Sequence, residues 1–355
     1  MKKHNFSAGP SILPNSVIKK VSKSVIDFNN MGLSLIEISH RSKEFIAVME
    51  RAKDLALELT GLKGKGYEAL FLQGGASMQF LMVAYNLLDS KAGYINTGVW
   101  SNKAIKEAKH FGEVIEVASS KDENFNYIPK GHQIPKDLNY LHITTNNTIF
   151  GTQFQEIPET NNVPLIADMS SDIFSRQIDY TKFDLFYAGA QKNMGPSGTT
   201  LIILKEDILG KFKRVIPSMM DYQVMLNSDS MFNTPPVFPI YTSMLTLEWL
   251  KENGGIASIE KYNRQKAALI YNEIDRNSAF VGFAAKEDRS FMNATFNLVD
   301  GINGKEFDAL WNQAGISGLK GHRSVGGYRA SIYNALPMKS VQILVDLMQK
   351  FEKTI

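Results

Sequence analysis

Most constraining in this sequence is a succession of short apolar runs, each ending in glycine or polar residues. Residues 69–73, 138–144, 163–167 and 184–188 are too short for helices and too apolar for surface strands, so they read as buried strands. Briefer runs at 93–95, 114–117 and 199–204 read the same way. Helical periodicity fills the gaps, at about 14–29, 78–88 and 101–110. Residues 43–60 set Phe45, Val48, Met49, Ala52, Leu55, Ala56 and Leu59 on one face and stop at Gly61. Between the first two helices, residues 35–42 read as an extended apolar piece ending in His40-Arg41-Ser42. Strands alternating with helices, with polar residues gathered at the strands' C-terminal ends, predict a doubly wound α/β sheet with its site along that edge.

Beyond this block the pattern changes. The double proline in Met231-Phe232-Asn233-Thr234-Pro235-Pro236 excludes helix and central strand, which leaves a rigid loop. A helix over about 240–252 ends at Asn253-Gly254-Gly255, where the domain change is placed. A smaller α+β unit follows, with strands near 293–299 and 328–332 and helices over 304–314 and 338–352. The expected division is an N-terminal arm (1–15), a large domain (16–253) and a small C-terminal domain (254–355).

The run at 184–188 leads into Ala-Gly-Ala-Gln-Lys-Asn-Met-Gly-Pro-Ser-Gly, residues 188–198. Lys192 leaves the end of a buried strand, where desolvation lowers an amine's pKa and frees it to attack a carbonyl. A plain loop lysine would read the same from this stretch alone. Asp168 stands 24 residues earlier at the end of another apolar run. A buried carboxylate needs a partner. In pyridoxal-phosphate chemistry that partner is the pyridinium nitrogen, kept protonated so that the ring accepts electrons. An N-cap role for Asp168 is the plainer reading.

Composition narrows the function. The 355 residues are 44% hydrophobic and 21% charged, as in ordinary globular chains of about two domains. A net charge of +3 argues for neither nucleic acid nor a membrane surface. No apolar run reaches bilayer length, and the opening MKKHNFSAGPSILP lacks the apolar core of a signal peptide. There is no cysteine, which excludes disulfides, thiolate metal sites and cysteine nucleophiles. A cytoplasmic location is the expectation, with no metal, nucleic-acid or membrane partner.

Other candidates cluster at strand ends. Gly74-Gly75-Ala76-Ser77, between a strand and an apolar helix, has the form of a phosphate cradle but matches neither the P-loop nor the dinucleotide fingerprint. Trp100 follows Thr97-Gly98-Val99 and could be core or could stack on a flat ring. Thr144-Thr145-Asn146-Asn147-Thr148 is polar. Residues 319–331 set Lys320, His322, Arg323 and Arg329 among glycines, either an anion site or a solvated basic loop. Asn5-Phe6-Ser7-Ala8-Gly9-Pro10 is a turn-rich opening, able to approach a ligand or simply to pack on the body.

Together AGAQKNMGPSG, SMFNTPP, SHRSKEF, GHRSVGGYRASIYNA and FSAGP resemble the phosphoserine aminotransferases, in order and over essentially the whole chain. The resemblance implies the type I fold of pyridoxal-phosphate enzymes, with a mostly parallel seven-stranded sheet in the large domain and a smaller α+β domain. It implies that Lys192 carries the cofactor as a Schiff base and moves the substrate proton, that Asp168 holds the pyridinium, and that Trp100 stacks on the ring. Thr148 would bond near the phenolic oxygen. Ala76, Ser77 and Gln191 would line the cofactor phosphate, with Asn233 and Thr234 reaching it from the second subunit of a homodimer. Arg329 would take the substrate α-carboxylate. His40, Arg41, His322 and Arg323 would take its phosphate, or the distal carboxylate of glutamate. In many relatives an arginine stands at Ser77 and in some a serine at Ala8, so those side-chain contacts are absent here.

The implied reaction moves an amino group between L-glutamate and 3-phosphohydroxypyruvate in ping-pong fashion, giving O-phospho-L-serine and 2-oxoglutarate. This is a step of serine synthesis, and the phosphorylated hydroxythreonine of pyridoxine synthesis is a second expected substrate. The competing readings are an aminotransferase for unphosphorylated substrates of the alanine or serine–glyoxylate type, a non-catalytic cofactor-binding protein, and a nucleotide-phosphate module. The two His-Arg pairs count against the first, and intact Lys192 and Asp168 against the second. A cysteine desulfurase is excluded by composition.

Overall fold

A computed structural model describes residues 3–355. Its centre is a seven-stranded sheet, in spatial order Tyr67–Leu72, Thr200–Lys205, Leu185–Gly189, Leu165–Asp168, Tyr140–Thr144, Lys91–Asn96 and Glu113–Ser119. All neighbours are parallel except Thr200–Lys205, which runs antiparallel to both of its partners. Period-two alternation divides each strand between two cores. Leu201, Ile203, Phe186 and Ala188 enter one, while Ile202, Leu204, Leu185 and Tyr187 enter the other. The first core is closed by Asn15–Ile26, Lys43–Thr60 and Val237–Glu252, the second by Gly75–Leu87 and Val99–Ala108.

Local signals explain the helix boundaries. Ser42 caps Lys43–Thr60 by accepting from the Phe45 N–H at 3.3 Å, and Gly61 ends it at φ 68°. Gly75–Leu87 begins three residues before the expected 78, because Gly74 takes φ 94° and turns the chain straight from strand into helix. The expected extended piece at 35–42 is instead a series of turns. Glu37 closes one of them, accepting from the Ser34 N–H through its carboxylate and donating its own N–H to the Ser34 carbonyl, both at 2.9 Å. Local hydrogen bonding there outcompetes the apolar pattern.

A third core gathers Phe6 with residues of 267–351 around the antiparallel sheet Phe280–Gly282, Asn293–Leu298 and Tyr328–Ser331. His4–Asn5 pairs with Ile316–Ser317, which ties the start of the chain to this core. The long helix Gly255–Arg276 spans two cores: Ile256 and Ile259 lie in the first, Ala267, Ile270 and Ile274 in the third. Among the described residues no helix is long and apolar enough to cross a membrane, and no group of three acidic or histidine side chains could hold a metal ion.

Candidate functional site

Strand register sets the site. Thr144, Asp168 and Tyr187 lie side by side across three parallel strands, so the residues that follow them emerge together. Asp168 is buried at 5% exposure and accepts from the Ser170 backbone N–H at 2.9 Å. Burial pushes its pKa up, and the nearby Lys192 charge pulls back. Beneath it, buried Asp172 accepts from Thr145 Oγ1 (2.5 Å) and Gln153 Nε2 (3.0 Å) and pairs with Arg176 at 3.5 Å.

Lys192 sits on a tight loop closed by the Ala190 N–H donating to the Thr199 carbonyl (3.0 Å) and the Gly195 N–H donating to the Ala190 carbonyl (2.8 Å). The backbone at Gly195 passes close to Ser243, so a Cβ there would force the Ser243 hydroxyl aside. The amine donates to Thr148 Oγ1 at 2.7 Å and lies 5.4 Å from the centre of the Trp100 ring. Desolvation holds its pKa down at about 8; Asp168 opposes the shift and Arg329 adds to it. A tenth of such an amine is neutral at pH 7, on the order of a hundred times the fraction of an ordinary lysine or more.

Trp100 is half-buried at the start of Val99–Ala108, with its indole Nε1 buried and unpartnered. Gly75–Leu87 opens on Gly74 without a side-chain cap, and a Cβ at Gly75 would meet open space. Its first-turn N–H groups, at Gly75, Ala76 and Ser77, have no intrahelical acceptor and are available as anion donors. Gln191 folds its side chain over Gly189, and its carbonyl accepts from the Ser11 N–H at 2.9 Å. Asn233 Nδ2 donates to Gln73 Oε1 (3.4 Å) and Gln73 Nε2 to the Thr234 carbonyl (3.0 Å), which sets that loop beside the glycine turn of its own chain.

Arg329 reaches in from the third core, donating through Nη1 to the Thr148 carbonyl at 3.3 Å while its Nε is buried without a partner. The Ala8 carbonyl accepts from the Tyr333 hydroxyl at 2.8 Å. His322 Nδ1 accepts from the Ser324 hydroxyl at 2.6 Å and from the Ser324 backbone N–H at 3.2 Å. Its pKa is lowered by partial burial first, then by Arg329, Arg323 and Lys103. His40 Nε2 is buried without a partner and Arg41 is exposed; neither bonds or ion-pairs with the Lys192 group within the described chain.

An amine near neutrality, a buried carboxylate, an aromatic face and an uncapped helix N-terminus form a donor set that fits a pyridinium ring bearing an aldehyde and a phosphate. Several supporting residues gave no sequence signal. Ser11 donates its hydroxyl to the Lys192 carbonyl, and the Asn334 N–H donates to Asn193 Oδ1 at 3.0 Å. Polar residues in loops are too common to stand out. The i, i+4 spacing of Asp168, Asp172 and Arg176 was the one legible hint.

A model of the aminotransferase class-V family matches residues 3–344. Over the full length of both chains, the sequence is 64% identical to a phosphoserine aminotransferase of Flavobacterium psychrophilum. Over 99% of both, it is 56% identical to one of Bacteroides fragilis. Among solved structures it superposes on phosphoserine aminotransferase from Bacillus circulans subsp. alkalophilus with a TM-score of 0.96, at 44% identity over 99% of each chain. The PLP-bound enzyme from Trichomonas vaginalis gives 0.92 at 35% identity, covering 98% of this chain and all of that one. The chain belongs to the class-V aminotransferase family, among its phosphoserine aminotransferases.

Proposed function

We propose that this enzyme moves an amino group between L-glutamate and 3-phosphohydroxypyruvate, forming O-phospho-L-serine and 2-oxoglutarate with pyridoxal phosphate as cofactor. The observation that carries the reading is Lys192, an amine held near pKa 8 between Asp168, Trp100, Thr148 and Arg329. When bound, the cofactor supplies the electron sink that makes the amino acid's α-proton acidic. Lys192 Nζ is the atom that would hold the cofactor and, as a free amine, would carry that proton. Asp168, buried and in no ion pair among the described residues, would keep the ring nitrogen protonated. Trp100 would cover the ring face, and Thr148 would bond near the phenolic oxygen. Ala76, Ser77 and Gln191 would hold the cofactor phosphate.

Arg329, with its Nε unmatched, orients the α-carboxylate. His322, Arg323, His40 and Arg41 receive the distal anion, phosphate in one half-reaction and carboxylate in the other. Asn233 and Thr234 complete the phosphate site across a homodimer, a reading supported by Phe232 beside them at 45% exposure and tested by light scattering. The arm to residue 15, the large domain to 253 and the small domain beyond are the working division, and the enzyme is assigned to the cytoplasm. 4-Phosphohydroxy-L-threonine carries the same amino-acid and phosphate groups and is the second substrate of this reading.

The test is a single-turnover titration that follows the cofactor absorption band. Phosphoserine and glutamate should convert it rapidly, serine and alanine scarcely. Equal response to serine or alanine would remove the phosphate receptor and favour an aminotransferase for unphosphorylated substrates.

A further inference from the structure

One cation of this region has no role so far. Lys103 lies one turn after Trp100 on Val99–Ala108, with its ammonium 4.6 Å from the centre of the indole ring. Lys192 Nζ lies 5.4 Å from the same centre, so the two nitrogens are separated by at most the sum of those distances. Lys103 is exposed, and its head rests against the same indole ring that Lys192 approaches.

Its surroundings are cationic. His322 feels Arg329, Arg323 and Lys103 together, and among the described residues none of these three cations has a carboxylate in ion-pair contact. By contrast Lys320, in the same loop, pairs with Asp308. Like charges held together without counter-charges cost free energy unless an anion visits them. The glycine turn at 74–77 contributes backbone donors and the Ser77 hydroxyl but no charged side chain.

We propose that Lys103 is a substrate-binding residue whose ammonium, steered by Trp100, receives the distal phosphate alongside His322 and Arg323. This rests on the phosphoserine reading above and adds to it a residue that sets specificity. A dianion gains more than a carboxylate from an added point charge, so Lys103 favours the phosphorylated substrate over glutamate. Arginine, with the same charge, should serve in its place.

The test compares wild-type, K103M and K103R holoenzymes in single turnover with phosphoserine and with glutamate, at two ionic strengths, and titrates each with inorganic phosphate by calorimetry. K103M should raise the half-saturating phosphoserine concentration about tenfold and weaken phosphate binding similarly, as one lost charge at contact range implies. It should respond less to salt, shift glutamate less than threefold, and keep the maximal rate and the cofactor's dissociation constant. K103R should stay near wild type. Unchanged phosphoserine and phosphate affinity in K103M would overturn the proposal. So would an equal loss for glutamate, or a loss confined to cofactor affinity, which would place Lys103 at the cofactor. Failure of the wild type to turn over phosphoserine would instead overturn the function itself.

Discussion

Asn334 joins the site's two halves and gives the sharpest prediction. Its side chain is 4% exposed, donates to the Phe174 carbonyl at 3.0 Å and accepts from Asn263 Nδ2 at 2.8 Å. Its backbone N–H donates to Asn193, next to Lys192. In N334A the Phe174 carbonyl is left buried without that donor, and Asn263 keeps only the Ser175 carbonyl at 3.0 Å. One orphaned carbonyl and one half-satisfied amide, at about 1–3 kcal/mol each, put the cost at roughly 2–6 kcal/mol. N334D should cost at least as much, because it sets a carboxylate oxygen against the Phe174 carbonyl. Urea denaturation of the holoenzyme measures both. A double-mutant cycle with N263A should return a coupling of about 1 kcal/mol. A loss below about 0.5 kcal/mol in N334A, or an N334D milder than N334A, would refute the joint.

Other expectations follow from single groups. With Lys192 at about pKa 8, cofactor capture by the stripped enzyme should rise about tenfold per pH unit and level near pH 8; levelling near pH 10 would mean an unperturbed amine. Lys266 is fully buried, donating to the carbonyls of Ile332 (2.8 Å) and Tyr333 (2.6 Å), and burial pulls its pKa well down. Its unfolded form binds a proton that the folded form releases, so this group makes stability rise as pH climbs toward the ordinary lysine value of about 10.4. K266M should flatten that rise in melts taken across the range. At Gly151, φ is +76° and a Cβ would lie 2.8 Å from the Asn293 carbonyl and overlap Thr295; G151A should lose about 2–4 kcal/mol in the same assay.

The fold was legible where one physical signal dominated. Lys43–Thr60 carried an apolar stripe and a terminal glycine, and its predicted and observed limits coincide. The antiparallel sense of Thr200–Lys205 was not legible, since an apolar run buried on both faces has no direction written in it. At 35–42 a Ser34–Glu37 turn overrode hydrophobicity. Within the site, Lys192 and Asp168 stood out because charged groups at the ends of apolar runs are costly. Asn193 and Asn334, 141 positions apart, did not, because neither asparagine looks unusual until the fold brings them together.

The strand order bears on how the chain is made. Tyr67–Leu72 is an edge strand whose one neighbour in the sheet is Thr200–Lys205. That partner is translated about 130 residues later, roughly 6–26 s at bacterial or eukaryotic elongation rates. Throughout that interval an apolar strand, with the glycine turn behind it, waits at the ribosome without its pair. The strands for Asp168 and Lys192 are both synthesised before it is claimed. The phosphate cradle is therefore the last part of that sheet edge to be put in place, after the Lys192 loop that it faces has been made.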